Sequence, residues 1–312
     1  MIKDLGSLKY FLGIEVLSND KGICMNQRKY CLELLNDYGM LGCKPIGTPI
    51  ELNMNVESEP SIKDPLLKNI IEYQKLVGRL IYLTLTRPGI AFSVQVLSQY
   101  MHAPLQSHFN LAFRVLRYFK GAPRKGVQFV KSDSFKLYAY SDSDYAKCKL
   151  NRNSVTGYLV YFCNSLISWK SKKQATVSRS SAEAGYRAMA STACEIIWII
   201  NLLTELGIMI ELPMNLYCDN SSALQLAAYL VFHERTKHFE VDVHYIRHKV
   251  AASVINTLKI GSDCQLADIL TKGLSVRPWR PAPRFVKSGD AWSTPRLTMD
   301  RPQKPFVHTC SG

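Results

Sequence analysis

The order of elements read from residue 135 onward limits what this chain can fold into more than any other feature. Phe135–Ser141 (FKLYAYS), Thr156–Phe162 (TGYLVYF) and Leu166–Ser171 (LISWKS) follow one another at short intervals, with Asn and Ser turns between them. That spacing predicts an antiparallel meander of three strands. A long helix is expected over Ser181–Leu206, then a buried-type strand over Asn215–Cys218. A helix over Ser221–Tyr229, a helix over Val241–Val250, a strand over Val254–Ile260 and a short helix over Gln265–Lys272 complete the series. Strands and helices interleaved in this way predict an α/β fold, a sheet with helices on its faces.

Acidic residues sit at telling places in that series. Asp142 is expected to end the first strand, Asp219 to end the strand after the long helix, and Asp268 to lie in the last helix. Residues at the carboxyl ends of neighbouring strands converge on one crevice. Converging carboxylates repel one another unless a cation neutralises them, and hard oxygen donors suit Mg²⁺ or Mn²⁺. Two such ions would clamp the attacking water and the leaving oxygen of a phosphodiester. Any single Asp after a strand is more often a turn or cap residue, and Asp144 and Asp242 read that way. The stretch HERTKHFEVDVHYIRHK places His244 and His248 four apart, but the HExxH pattern and paired cysteines of a zinc site are missing. Arg235, Lys237, His238 and Arg247 read instead as a phosphate-contacting or merely solvated basic face.

Upstream, residues 7–27 read as a hairpin around Asn19-Asp20-Lys21-Gly22, followed by a helix near Tyr30–Met40 that Pro45 and Pro49 end. Residues 50–65 look like a surface connection. Helices are expected over Lys68–Leu85, with Ile70, Ile71, Leu76, Val77, Leu80, Ile81 and Leu83 on its apolar face, over Ile90–Met101 and over His108–Lys120. Arg114, Arg117, Lys120, Arg124 and Lys125, interleaved with Tyr118 and Phe119, could track a nucleic-acid backbone or form a solvated face. Tyr138, Tyr140, Tyr158 and Tyr161 read as sheet packing, and Trp169 and Trp198 as core residues. The formal net charge of +14 attracts nucleic acid or anionic lipid. Nine scattered cysteines without a CxxC pair fit free thiols in a reducing compartment. Apolar runs such as Ile196–Leu203 fall short of the ~20 residues of a membrane span, and no signal peptide opens the chain, so an intracellular place, cytoplasmic or nuclear, is expected. Residues 275–312 hold six of the fourteen prolines and no periodicity, which reads as a basic, Pro-rich disordered tail.

Eight motifs in order carry a resemblance to a known family. They are KDLGSLKYFLGIEV, YQKLVGRLIYLTLTRPGIAFSV, HFNLAFRVLRYFKG, AYSDSDYA, NSLISWKSKKQATVSRSSAEAGYRAMA, LYCDNSSA, HERTKHFEVDVHYIRHKV and QLADILTKGL. With them the chain resembles the C-terminal part of a copia-type retrotransposon Pol polyprotein, the end of a reverse transcriptase followed by ribonuclease H. The resemblance implies four parts. Residues 1–55 would be the end of the palm, a primer-grip-like hairpin plus helix, and residues 56–130 a helical thumb or connection segment. Residues 131–274 would be a ribonuclease-H-like domain with a mixed five-stranded sheet and flanking helices, and residues 275–312 the unrelated tail. No YxDD occurs in the chain, so polymerase activity is not expected of it.

By the same motifs, Asp142, Asp219 and Asp268 fall on three of the acids that bind two magnesium (or manganese) ions in that family, which hydrolyses the RNA strand of RNA–DNA hybrids. The fourth, a glutamate in AEAEYRA, is absent: this sequence reads AEAGYRA, with Gly185 in the slot. Gly89 likewise replaces the aspartate of TRPDI. Glu183 lies two residues before Gly185, about 200° away around a helix, and Ser180-x-x-Glu183 fits a capping box. The expectation is therefore an impaired ribonuclease H. The alternatives are cleavage through another carboxylate (Glu183, Asp144 or Glu195) and a non-catalytic basic module that binds nucleic acid. The partners implied are an RNA–DNA hybrid and the rest of the parent polyprotein, with no membrane.

Overall fold

A computed structural model of the protein describes residues 6–20, 22–52, 54, 56–148, 150–228 and 240–273. The basic stretch with Arg235, Lys237 and His238 and the tail at 275–312 lie outside the described residues. The described residues belong to one compact unit.

Its first part is a four-stranded antiparallel sheet beside four helices. The sheet has the order β1 (Tyr10–Phe11), β2 (Ile14–Asn19), β3 (Gly22–Asn26) and β4 (Gly126–Val130). The hairpin is where the turn residues put it. β4 has no counterpart in the sequence reading: it pairs Asn26 with Gly126 and Gly22 with Val130, closing the sheet after the helices have intervened. Those helices are α1 (Arg28–Asp37), α2 (Ile70–Leu83), α3 (Ala91–Ser98) and α4 (Gln106–Lys120), with a 3-10 turn at Pro88–Ile90. Asn69 caps α2 by accepting from the Glu72 amide at 3.1 Å. The apolar face of α2 is narrower than its composition suggests. Tyr73, Leu76, Val77, Leu80 and Leu83 are buried, whereas Ile71 and Ile81 face solvent. The basic residues of α4 hold the segment before it in place. Arg114 pairs with Glu51 at 2.8 Å, Arg117 Nε donates to Lys44 O, and Lys120 Nζ donates to Cys43 O.

The second part is a mixed five-stranded sheet in the order β7-β6-β5-β8-β9. Its strands are β5 (Leu137–Asp144), β6 (Val155–Phe162), β7 (Ser165–Lys173), β8 (Met214–Cys218) and β9 (Ile255–Lys259). The first three form the expected antiparallel meander. α5 (Ser181–Glu205) then crosses the sheet, so that β8 joins parallel to β5 on its free edge, and β9 joins parallel to β8. α6 (Ser221–Ala228) and α7 (Glu240–Ala251) pack with α5. This is the ribonuclease-H-like α/β arrangement. By length and composition α5 could cross a bilayer. Here Tyr186, Met189, Ala193, Ile196 and Ile199 line the core of the sheet instead. Trp198 is on the outer face of that helix and 60% exposed, which corrects its reading as a core residue. The four tyrosines Tyr138, Tyr140, Tyr158 and Tyr161 are buried in the sheet as expected. The two sheets meet where the Val130 amide of β4 donates to Ser165 Oγ of β7 at 2.9 Å, and Trp169 Nε1 of β7 donates to Thr84 O at the end of α2 at 3.0 Å.

Candidate active site

Register explains why two of the acids meet. β5 and β8 run parallel, and Ser141 lies opposite Cys218. The next residue in each case is an aspartate, Asp142 within β5 and Asp219 just past the end of β8, so the two stand side by side at the same end of the sheet. Asp142 does not end its strand. β5 runs on to Asp144 because β6 pairs with it residue by residue, Asp142 opposite Gly157 and Asp144 opposite Val155. Asp144 turns to Lys147, 2.9 Å away.

The third acid arrives from the end of the described chain. Leu266–Leu270 is a short 3-10 helix within the 265–272 stretch where a short helix was expected. It packs onto β6 where Gly157 has no side chain: a Cβ there would stand 2.7 Å from Thr271 Cγ2 and 2.8 Å from Leu270 Cβ. Through that gap the Thr271 hydroxyl donates to Asp142 Oδ2. Lys272 Nζ lies 2.9 Å from Asp268 Oδ1 and 3.8 Å from Asp142 Oδ2. Gln265 Nε2 anchors the turn to Ser141 O at 3.0 Å. Asp219 accepts from Ser262 Oγ at 3.0 Å, and Lys259 Nζ donates to the Asp219 carbonyl and to Ser221 Oγ.

The charges of the three carboxylates are felt at the most buried one. Asp142 is 4% exposed. Its pKa is raised to about 7: burial raises it most, Lys272 and the Thr271 hydrogen bond pull against that, and Asp268 and Asp219 add to it. Burial pulls Lys272 down, but Asp142, Asp268 and Asp219 outweigh it and hold the ammonium above its ordinary pKa.

Asp142 and Asp219 open into a pocket of about 200 Å³ lined also by Ser143, Gly185, Cys218 and Asn220. Gly185 thus sits in the wall beside the acids and offers no donor. Asn220 is folded against it. Its Nδ2 donates to Ser181 O at 3.0 Å and its Oδ1 accepts from the Ala223 amide at 3.0 Å, tying the start of α6 to α5. A Cβ at Gly185 would be 3.2 Å from Asn220 Nδ2 and 3.3 Å from Ala223 Cβ.

The carboxylates that could stand in for a glutamate at this slot are engaged elsewhere. Ser180 caps α5 by accepting from the Glu183 amide, and Glu183 Oε2 accepts from the Arg179 amide at 2.8 Å. Its Oε1 pairs with Arg187 at 2.7 Å, with only 2% of the side chain exposed. Glu195 accepts from Ser168 Oγ at 2.7 Å. In the His-rich stretch, His244 lies 3.6 Å from Glu240. Arg247 donates through Nε and Nη2 to Leu226 O and so joins α7 to α6.

Three aspartates have the right chemistry for a hard divalent cation but not the right arrangement for two. Gly185 supplies no donor, Lys272 holds Asp268, and no three His, Cys, Asp or Glu side chains among the described residues are grouped to share an ion. Thr271, Lys272, Ser262 and Lys259 did not figure in the sequence reading of the site. The four-residue step from Asp268 to Lys272 was the legible signal for one of them.

No protein-family model matches the chain. Over 276 residues, 88% of this chain, it is 44% identical to the retrovirus-related Pol polyprotein from transposon RE2 of Arabidopsis thaliana, of which it covers 19%. It is 43% identical over 198 residues to the uncharacterized mitochondrial protein AtMg00810 of the same plant, covering 63% of this chain and 80% of the relative. Among solved structures, LC11-RNase H1, isolated from compost, aligns to 44% of this chain and 92% of its own length, with 14% identity and a TM-score of 0.34. The chain spans about a fifth of the length of the Pol polyproteins it matches.

Proposed function

We propose, for a chain that belongs to the retrovirus-related Pol polyproteins of copia-type transposons, that residues 131–274 are a ribonuclease H portion addressed to RNA–DNA hybrids, with its cutting impaired. The observation that carries this reading is Gly185 in the wall of the pocket that Asp142 and Asp219 share. Two divalent ions would supply the Lewis acidity for phosphodiester hydrolysis, and Asp142, Asp219 and Asp268 are what remains of the donors for them. With Gly185 in that slot the pocket is one donor short. Losing a single contact that acts in the transition state costs ~10²–10³ in rate. Glu183 does not make up the loss, because its carboxylate is spent on Arg187 and the Arg179 amide. We assign no polymerase chemistry to the chain, since it holds no YxDD. Its excess of 39 Lys and Arg over 25 Asp and Glu suits a polyanionic partner.

The test is cleavage of a labelled RNA–DNA hybrid by the full chain with Mg²⁺ or Mn²⁺, beside Gly185→Glu and Asp142→Asn. The natural chain is expected to leave the hybrid intact and Gly185→Glu to cut it. Cutting by the natural chain that Asp142→Asn abolishes would overturn the impairment. Retention of hybrid with a steep salt dependence, and no cutting by either protein, would favour a binding module over a decayed nuclease.

A further inference from the structure

Between Arg187 and Arg235 the chain has no Lys or Arg, although 39 of its 312 residues are basic, one in eight. The acids of that stretch include Glu195, Glu205 and Glu211. The second half of α5 lies within it and turns an apolar stripe outward. Trp198, Leu202 and Leu206 are all exposed. At 100° per residue they fall within an arc of about 80°, with Glu205 beside them. Leu206 is 66% exposed, and Met209, past the turn at Gly207, is 82% exposed. We propose that this stripe docks a partner helix whose apolar face is flanked by Lys or Arg.

The inward face of α5 is filled by Ile196 and Ile199, which leaves the stripe out of the core. Apolar side chains exposed together mark an interaction surface, and Trp is the residue type that most often anchors one. Their recurrence at four-residue steps makes a ridge of the kind a second helix packs against. Charge then selects the occupant. A nucleic acid or an anionic membrane surface is held by cations, and this stretch encodes none. Two cations of neighbouring segments are taken up already, Lys136 by Glu211 at 3.7 Å and Lys249 over the Tyr245 ring. A second copy of the chain would set Glu205 against Glu205 across a two-fold axis, in a pair of molecules that each carry +14. A helix with a basic flank supplies the charge that the rim lacks. The stripe begins ~20 Å along α5 from Gly185 and ends ~30 Å from it. Occupancy here is therefore independent of what the pocket of Asp142 and Asp219 does.

The experiment titrates the full chain into two fluorescein-labelled helical peptides of about 18 residues, long enough to cover the stripe. Both present the same Leu face. One carries Lys and Arg on its flanks and the other carries Glu at those places. Fluorescence anisotropy in about 0.1 M NaCl reads binding with charges partly screened. The basic peptide is expected to bind with a Kd in the micromolar range. The acidic peptide should bind at least ~10-fold more weakly, although the net charge of +14 would draw it in and repel the basic one. Trp198→Ala should weaken the basic peptide ~10-fold or more, as for the loss of an anchor residue. Glu205→Lys should weaken it about threefold, the weight of an exposed charge pair. Both residues are exposed, so the urea midpoints of the two variants should match that of the natural chain. Equal or tighter binding of the acidic peptide overturns the proposal. So does binding of the basic peptide that Trp198→Ala leaves unchanged, or no binding up to ~100 µM. Sedimentation equilibrium of the chain alone provides the last arm. A dimer that Trp198→Ala abolishes would give the stripe to a second copy and refute a basic partner helix.

Discussion

Replacing Asp142 by Asn should stabilise the protein at pH 8 and do little at pH 4. Asp142 is buried beside two other aspartates, and burial first, then Asp268 and Asp219, raise its pKa from 3.8 to about 7 against the pull of Lys272 and Thr271. Each pKa unit is worth about 1.4 kcal/mol, so the ionised carboxylate costs the native state roughly 4 kcal/mol once the pH exceeds 7. The sign follows from proton counts. Between pH 4 and pH 7 the native chain keeps a proton that the unfolded chain has released, so the contribution of this group to stability falls as pH rises. It is fully present below the unfolded pKa and lost on passing the folded one. Asn keeps an oxygen to accept from Thr271 and carries no charge. Urea denaturation of both proteins in EDTA at pH 5 and pH 8 measures the difference. The advantage of Asp142→Asn should widen by about 2.5 kcal/mol between the two pH values. An equal difference at both, or an Asn variant less stable at pH 8, would show that the carboxylate is not held in a disfavoured charged form.

Other substitutions probe the supports of the site. Glu183→Ala removes the ion-pair partner of Arg187, leaving it the Thr176 hydroxyl, and frees the Arg179 amide; urea denaturation should show a loss of about 3 kcal/mol, as for a broken buried ion pair. Gly157→Ala forces a Cβ into Thr271 and Leu270, so it should cost about 1–3 kcal/mol, and proton exchange at the Thr271 amide should quicken. His108 accepts from the Leu105 amide through Nδ1 and meets Glu57 O through Nε2, and burial lowers its pKa. Its contribution is present above about pH 6.5 and lost as the pH falls below that, so His108→Gln should flatten the stability profile between pH 7 and pH 5.

The meander, the long helix and the parallel strands were legible in the sequence because each is written locally, in alternation, in turn residues and in a 3.6 period. What sequence could not supply was set by partners far away. Residues 126–130 (GVQFV) are too short to declare themselves, and β3 makes them a strand. Trp198 reads as core by its type, but Ile196 and Ile199 take the inward positions of α5 and leave it outside. Asp142 and Asp219 could be foreseen as neighbours, since both follow strand-forming runs. That Lys272 and Thr271 reach Asp142 was not legible, because it depends on Gly157 making room for a turn more than a hundred residues later.

The late arrival of β4 bears on how the chain is made. Asn26 pairs with Gly126, so the outer edge of β3 is complete only after about 100 further residues have left the ribosome. At ~5–20 residues per second that is a wait of roughly 5–20 seconds. Through that interval β3 is the edge of a small ribbon, in which β2 is flanked otherwise only by the two-residue β1, and it presents an open row of amides and carbonyls. Its neighbours on a polysome carry the same open row. That open edge is on the nascent chain before the five-stranded sheet has begun to form.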